Sequence, residues 1–390
     1  MKKVGKYFVS IVVFCILLRT VPVWWCQRHV DDFYNPSFEM CKMMADGAFE
    51  SIQHMNKSSF DTGSTLFNGE WLFGSNTMAA LGNAQVALQY PAYQEVALPR
   101  MRSCFDNLLS QEVQAFNSAQ WNGQNAIENL ANDEDDHAAY LGYFNLPLSL
   151  YNHIRTNLVK APDKDKYQRL NEQITAALVR RMQKRPNMLL ETYPTEFYPV
   201  DNASCAASIA VYSKAFDKYT DTVKKWGNNF NLFIDPKTDM LIQSVNADMT
   251  HYSQPRGSGS ALAAYFLIYL DTRLSKRLYK GCKTELFDKP LGFGLMNEYP
   301  EAFKHMKGDI DSGPLIWGYS MSATGFSLAA AKAHNDQTLF ATLFATAWVA
   351  GAPELKGKRL HWKTGGPLGD TIMFAMLTAP KTFNPKKEVN

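Results

Sequence analysis

The amino-acid sequence predicts an all-α fold, an (α/α)6 barrel of six helical hairpins behind an N-terminal membrane or signal segment. Three observations predict it. Six segments that mix small with large apolar residues recur along the 390 residues. Six amphipathic segments alternate with them. Strand patterning is sparse, confined to residues 240–244 and their neighbours.

The apolar segments are 76–88, 137–151, 202–212, 259–270, 322–334 and 369–379. Their starts lie roughly 60 residues apart, the last gap roughly 50, the period of a repeated supersecondary unit. The run ALAAYFLIYL at 261–270 is apolar nearly all round, a pattern that needs burial on every side. The Ala, Gly and Ser positions let such helices approach closely. The alternating segments are 38–53, 94–114, 166–183, 214–232, 272–279 and 336–350. In 166–183, Leu170, Ile174, Ala177 and Leu178 recur at three- and four-residue spacing, and charged or amide side chains fill the other positions. Buried helices alternating with half-solvated ones predict an inner ring covered by an outer ring. A two-domain helical protein is the rival architecture. Asp201 or Ser204 is placed to cap the third inner helix, Ser258 or Ser260 the fourth, and Ser320 or Ser322 the fifth.

Ahead of the repeat, Lys2, Lys3 and Lys6 precede the apolar residues 7–18, Arg19 interrupts, and a second apolar patch covers 21–25. The first run has the length of a signal-peptide core and is short for a spanning helix. No small-residue cleavage site precedes Cys26, which leaves an uncleaved anchor open. Residues 1–26 are therefore read as a signal peptide or membrane anchor, 27–37 as a linker, 38–380 as the toroid domain, and 381–390 as a flexible Lys-rich tail. The expected location is the periplasm or the outer face of the inner membrane, with the membrane as a partner through the N-terminal segment.

Composition excludes several functions. Lys and Arg total 40 against 37 Asp and Glu, a formal charge of +3 with no basic stripe, so no nucleic acid is expected. The six cysteines form no CxxC pair, which argues against structural zinc. A disulfide such as Cys41–Cys104 is allowed in an oxidising compartment. His251 and His361 lack a His-x-x-x-His partner, and no phosphate loop, dinucleotide fingerprint or nucleophile elbow is present. No metal and no cofactor are expected.

In a toroid of this kind, the loops entering the inner helices converge at one end, where binding and catalysis tend to lie. These loops carry Asn68, Glu70 and Trp71; Asp133–Asp136 with His137; TYPTEFYPVDNASC at 192–205; His251, Tyr252 and Arg256; GDIDSGP at 308–314; and His361 with Trp362. Carboxylates among tyrosines and tryptophans are the lining of a sugar cleft: rings stack on apolar sugar faces and carboxylates accept hydroxyl hydrogen bonds. Glycosidic cleavage needs one protonated carboxyl and usually a second, ionised one. Asp309 and Asp311, two residues apart in a loop flanked by Gly308 and Gly313, are the first candidate catalytic pair; Asp201 and Glu196 face them as the second. Each has a blander reading, since Asp309 and Asp311 could cap a helix and Asp201 could be an N-cap. Tyr193, Tyr198, Tyr143, Cys205, Asp136, His137, Trp71, Tyr252, Tyr319 and His361 are the candidate substrate-binding residues. Of these, Cys205 sits among small apolar residues and is favoured as a packing thiol, and His137 as a helix-start histidine.

Across residues 65–379 the chain resembles the bacterial linalool dehydratase/isomerase family, within the wider superfamily of six-hairpin glycosidase-like (α/α)6 toroids. The resemblance rests on YLGYFNLPLSLY (140–151), on Glu196 and Cys205 nine residues apart, on FIDPKTDMLIQS (233–244), on GDIDSGPLIWGYSMSATGFSLAAAKAHND (308–336) and on GGPLGDTIMFAML (365–377). It implies the toroid fold and a small-molecule hydro-lyase or isomerase. Thr195 stands where the family has a second site cysteine, and Tyr143 where it has a site histidine, so the fold carries over further than the chemistry. The acidic loops favour a hydrolase or lyase acting on an oligosaccharide. A hydro-lyase or isomerase on a small hydroxylated apolar substrate is the second reading, and a non-catalytic glycan-binding or envelope-assembly protein the third.

Overall fold

Which helices go inside is decided by where polar side chains are missing. A computed structural model of the chain describes residues 2–384 apart from His54, Ala247 and His251, and of residues 2–5 and Phe8 the backbone alone. In chain order the helices are α1 (Lys2–Gln27), α2 (Val30–Tyr34), α3 (Phe38–Gln53), α4 (Thr65–Gln89), α5 (Gln94–Leu108), α6 (Gln111–Gln120), α7 (Ala138–His153), α8 (Lys166–Lys184), α9 (Pro199–Phe216), α10 (Thr220–Phe230), α11 (Gly257–Leu267), α12 (Thr272–Leu286), α13 (Met321–Ala333), α14 (Gln337–Gly351) and α15 (Gly366–Leu377). Between α12 and α13 the strands β1 (Phe287–Asp288), β2 (Leu295–Asn297) and β3 (Tyr319–Ser320) form an antiparallel sheet. β4 (Pro353–Lys356) and β5 (Arg359–Trp362) form a hairpin before α15.

The helices α4, α7, α9, α11, α13 and α15 pack each on the next, and α15 returns to α4, closing a ring. Outside them, α3 lies on α4 and α15, α5 on α4 and α7, α8 on α7 and α9, α10 on α9, α12 on α11 and α13, and α14 on α13. This is the expected barrel of six hairpins. Close approach inside the ring depends on glycine. A Cβ on Gly142 of α7 would stand 2.4 Å from Ser204 Oγ and 2.5 Å from Cys205 Sγ of α9. One on Gly82 of α4 would stand 2.4 Å from the Phe374 ring of α15. The outer helices keep one wet face, and several are capped: Asp165 accepts from Tyr167 N at 3.1 Å, and Asp336 from Leu339 N at 2.9 Å.

Of the inner-helix caps, Ser320 accepts from Ala323 N at 3.1 Å, as expected. The other two differ. α9 starts at Pro199, the position that suits proline, so Asp201 and Ser204 lie inside the helix. α11 is capped from outside, by Glu298, whose carboxylate accepts from Ser258 N at 3.3 Å.

The ends of the chain depart from the sequence reading. Residues 27–37 are no free linker: Phe33 of α2 is buried with its ring 4.9 Å from Phe344, and Tyr34 packs on Phe340. Three aromatic or aliphatic residues in five are enough to dock a single turn. Of the tail, residues 385–390 lie outside the described residues, while Phe383 is buried against Tyr269, their rings 5.5 Å apart. At the other end the two apolar patches fuse through Arg19 and Pro22 into one helix, α1, and Val9–Gln27 is long and apolar enough to cross a membrane. The strand signal near 240–244 yields isolated bridges, Ile234–Leu241 and Ile242–Pro255, rather than a sheet. All six cysteines are free, so Cys41 and Cys104 do not pair.

Candidate active site

Three carboxyls from three inner-helix entries influence one another electrostatically: Glu70 in the second turn of α4, Asp201 in the first turn of α9, and Asp311 in the loop ahead of β3. The Pro199 start is what brings Asp201 there. Among the described residues, no ion pair reaches any of the three. Burial, with the charges of Asp311 and then Asp201, pushes Glu70 up to about 8. Burial, with the charge of Asp311, pushes Asp201 up to about 7 against the pull of Thr192 and Tyr143. Tyr143 Oη donates to Asp201 Oδ1 at 3.0 Å. Asp311 is raised as well, by burial first and then by the charge of Asp309, against the pull of Arg256. Glu70, raised furthest, keeps its proton at neutral pH, because removing it adds repulsion in a poorly hydrated place. Tyrosines complete the wall. Tyr193 is pushed well above the usual phenol range, by burial first and then by Glu70, Asp201 and Asp311.

The second member of the expected pair has a different task. Arg256 holds Asp309 in a two-pronged ion pair, Nη1 to Oδ2 at 2.5 Å and Nη2 to Oδ1. Burial pushes Asp309 up, but the guanidinium overrides it and keeps the carboxyl below its ordinary range. The backbone N–H groups of Asp311 and Ser312 donate to Asp309 Oδ1 at 3.0 and 3.1 Å. Asp309 thus folds the loop that presents Asp311. Arg256 is itself buried, and its Nε pairs with the fully buried Glu298. Glu298 also accepts from Ser258 Oγ at 2.6 Å. The arrangement is an acid–base–acid chain that runs from the exposed Asp309 of the acidic loop through Arg256 to the buried Glu298.

The remaining candidates divide into cleft and scaffold. Glu196, Tyr198 and Tyr252 line a shallow groove, in which Tyr198 Oη donates to Glu196 Oε2 at 3.1 Å. Trp71 follows Glu70 in α4 and packs edge-on against Phe60. Asp136 is no cleft residue: it is fully buried, pairs with Arg185 Nε at 2.8 Å and accepts from Glu191 N at 2.9 Å. His137 is buried in the left-handed region beside Trp121, with Asn117 Nδ2 at 2.9 Å from Nδ1, and burial pushes it down to about 3. It is a neutral helix-entry histidine. Cys205 is fully buried with Sγ 3.7 Å from Ala138 O, a packing thiol in the α7–α9 contact. Tyr319 bonds Asp288 at 2.5 Å within the small sheet. His361 bridges Asp370 at 2.9 Å and Glu50 at 3.2 Å, pinning the β4–β5 hairpin to α3 and α15. His251 lies outside the described residues. Asp136, Tyr319 and His361 already have side-chain partners, while Cys205 and His137 take the packing and helix-entry places that the sequence favoured.

Glu70 is the residue that sequence reasoning placed in an entry loop and left without a role. Its helix begins at Thr65, eleven residues before the apolar run, so it looked like a loop residue. Arg256 was likewise placed in an entry loop and left without a role, and Glu298 was missed altogether; only a search for a cation beside each acidic loop could have given Arg256 its task. Among the described residues, no group of three or more His, Cys, Asp or Glu could hold a metal ion.

No family model and no curated protein matches the chain. Solved structures do. A D-mannose isomerase superposes with a TM-score of 0.50 at 13% identity, over 88% of this chain and 97% of its own. An inactive variant of an α-1,6-mannanase, GH76A, from Salegentibacter, in complex with α-1,6-mannotriose, superposes with a TM-score of 0.50 at 10% identity, over 88% and 98%. The chain therefore has the (α/α)6 toroid fold over nearly the whole length of both.

Proposed function

We propose that the chain is an envelope-located enzyme that cleaves a glycosidic bond by acid and base catalysis. The observation that carries the reading is the trio Glu70, Asp201 and Asp311, set among tyrosines and outside every ion pair among the described residues. Two similar folds belong to proteins named for mannose and a mannan, which supports a saccharide substrate.

Glu70, pushed up to about 8, is the proton donor. It gives its proton to the glycosidic oxygen as the bond to the anomeric carbon breaks. Asp311, the most accessible of the trio, takes a proton from the attacking water, whose oxygen bonds to that carbon. Asp201, held by Tyr143, keeps the local charge negative enough that Glu70 retains its proton until the transition state. The test is product analysis on oligosaccharides, α-mannosides included, with Glu70→Gln, Asp201→Asn and Asp311→Asn. Loss of cleavage with retained melting temperature is expected. Shortened products at wild-type rate from all three variants would sink the reading, and an isomerised sugar without a shortened chain would replace it.

A hydro-lyase or isomerase resembling the linalool dehydratase/isomerase family remains the second reading, because the same donor could protonate a leaving hydroxyl. Cys205 behind the α7 backbone gives it no thiol, so turnover of hydroxylated apolar compounds by Cys205→Ala as well as wild type is its expected form.

A further inference from the structure

Apolar side chains standing in water are the feature that the catalytic reading leaves unused, and one group of them is joined through α1 and the small sheet. Along the Val9–Gln27 span of α1, Val23 and Cys26 are the buried residues, while Trp24 and Trp25 at the helix base are 66% and 51% exposed. Two turn tips follow the same pattern. Leu291 is 72% exposed at φ 52°, Trp317 is 91% exposed at φ 54°, and Ile316 beside it is 55% exposed. Bulky residues in the left-handed region are strained, and exposure at these tips leaves little packing to offset the strain.

The three features are joined. The turn at 290–292 rests on α1, since a Cβ on Gly292 would stand 3.0 Å from Val23. That turn connects β1 to β2, and β2 pairs with β3, which ends the loop carrying Asp311, Ile316 and Trp317. Tyr319 Oη on Asp288 at 2.5 Å ties β3 back to β1. The base of the apolar helix and the lip of the acidic cleft are thus mounted on one small sheet.

We propose that Trp24, Trp25, Leu291, Ile316 and Trp317 form a seat on the surface of the phospholipid bilayer that α1 enters, so that the cleft takes glycan carried on or lying against a membrane. The substrate half of this statement rests on the glycan reading above; the seat does not. Three observations single out a bilayer as the occupant. The 19-residue span rises roughly 28 Å, close to a hydrocarbon core of about 30 Å. Paired tryptophans at one end match the aromatic belt of a membrane interface. Lys2, Lys3 and Lys6 stand at the far end of the helix, the arrangement that holds the amino terminus on the cytoplasmic face and the domain on the other. Arg19 is the one charge within the span, and arginine stems reach the interface by snorkelling.

The experiment uses the full chain reconstituted into nanodiscs of phosphatidylcholine and phosphatidylglycerol, with and without lipids brominated near the headgroup. Tryptophan emission is compared between wild type and Trp317→Phe, with Leu291→Asp as an independent variant. Trp24, Trp25 and Trp317 are the quenched residues, so Trp317→Phe loses about one third of the quenchable emission, and Leu291→Asp reduces the quenching of Trp317. Equal quenchable emission in wild type and Trp317→Phe overturns the seat while leaving the carboxylate variants, and hence the glycan reading, to their own assay. A chain that fails to enter the discs overturns it too.

Discussion

Asp136 and Asp201 are both acids at the entry of an inner helix, and they illustrate two fates of a buried carboxylate. Asp136 meets Arg185 and the Glu191 N–H and becomes a staple between loops. Asp201 meets a tyrosine hydroxyl and, through space, two more acids, and becomes a proton reservoir. The same contrast recurs within a single loop between Asp309, clamped by Arg256, and Asp311. A carboxylate held in an ion pair supports the fold, whereas one outside any ion pair is left with chemistry to do and weakens the fold as it ionises.

The strongest way to break this comparison is to neutralise the trio. Glu70→Gln or Asp311→Asn should lower cleavage by about 10²–10⁴-fold, read by product formation, because general acid or base assistance of that size is removed. Asp136→Asn should leave chemistry almost intact and instead lower stability by about 3 kcal/mol, seen as a fall in denaturant midpoint, since Arg185 loses its buried partner. Arg256→Met joins the two classes: it strands Glu298 and loosens the loop below Asp311, so both melting temperature and turnover should fall.

A pH series sharpens the contrast further. Glu70 is raised from 4.5 to about 8 on folding, so the native state holds a proton that the unfolded chain has lost between those values. Stability is therefore highest below pH 4.5 as far as this group is concerned, and falls as pH rises through about 8. Glu70→Gln should remove that slope, and at pH 8.5 it should be more stable than wild type by on the order of 2 kcal/mol while inactive. Wild-type cleavage should decline over the same upper range as the donor loses its proton. The smallest effect belongs to Cys205→Ala: about 1 kcal/mol in stability and none in saccharide turnover, measured by melting temperature and product assay together.

Much of the fold was legible because helices buried all round leave a plain mark. The run 261–270 and its five counterparts fixed the inner ring, and the spacing in 166–183 marked an outer helix. Asp201 and Asp311 stood out as candidates in acidic segments ahead of two apolar runs. What stayed hidden depended on partners distant in sequence. Nothing in GDIDSGP says that Arg256, 53 residues earlier, takes Asp309 and leaves Asp311. Nothing in the entry of the second inner helix says that Arg185 takes Asp136. Glu70 was obscured because a helix that is wet at one end and buried at the other reads as a loop followed by a shorter helix. The β4–β5 hairpin gave no alternation to detect, being four residues a side and pinned by His361 and Asp370 rather than by its own pattern.

The contact of α15 with α4 and α3 has a bearing on how the chain matures. Helices from opposite ends of the sequence form that seam, so the circle stays open until the last hairpin has been synthesised. Until then the flanks that α4 and α15 later share, Gly82 against Phe374 among them, are uncovered apolar surface. Nascent chains would wait in a gapped horseshoe, dependent on holding factors, and the final dozen residues of helix would act as a keystone whose arrival commits all the others.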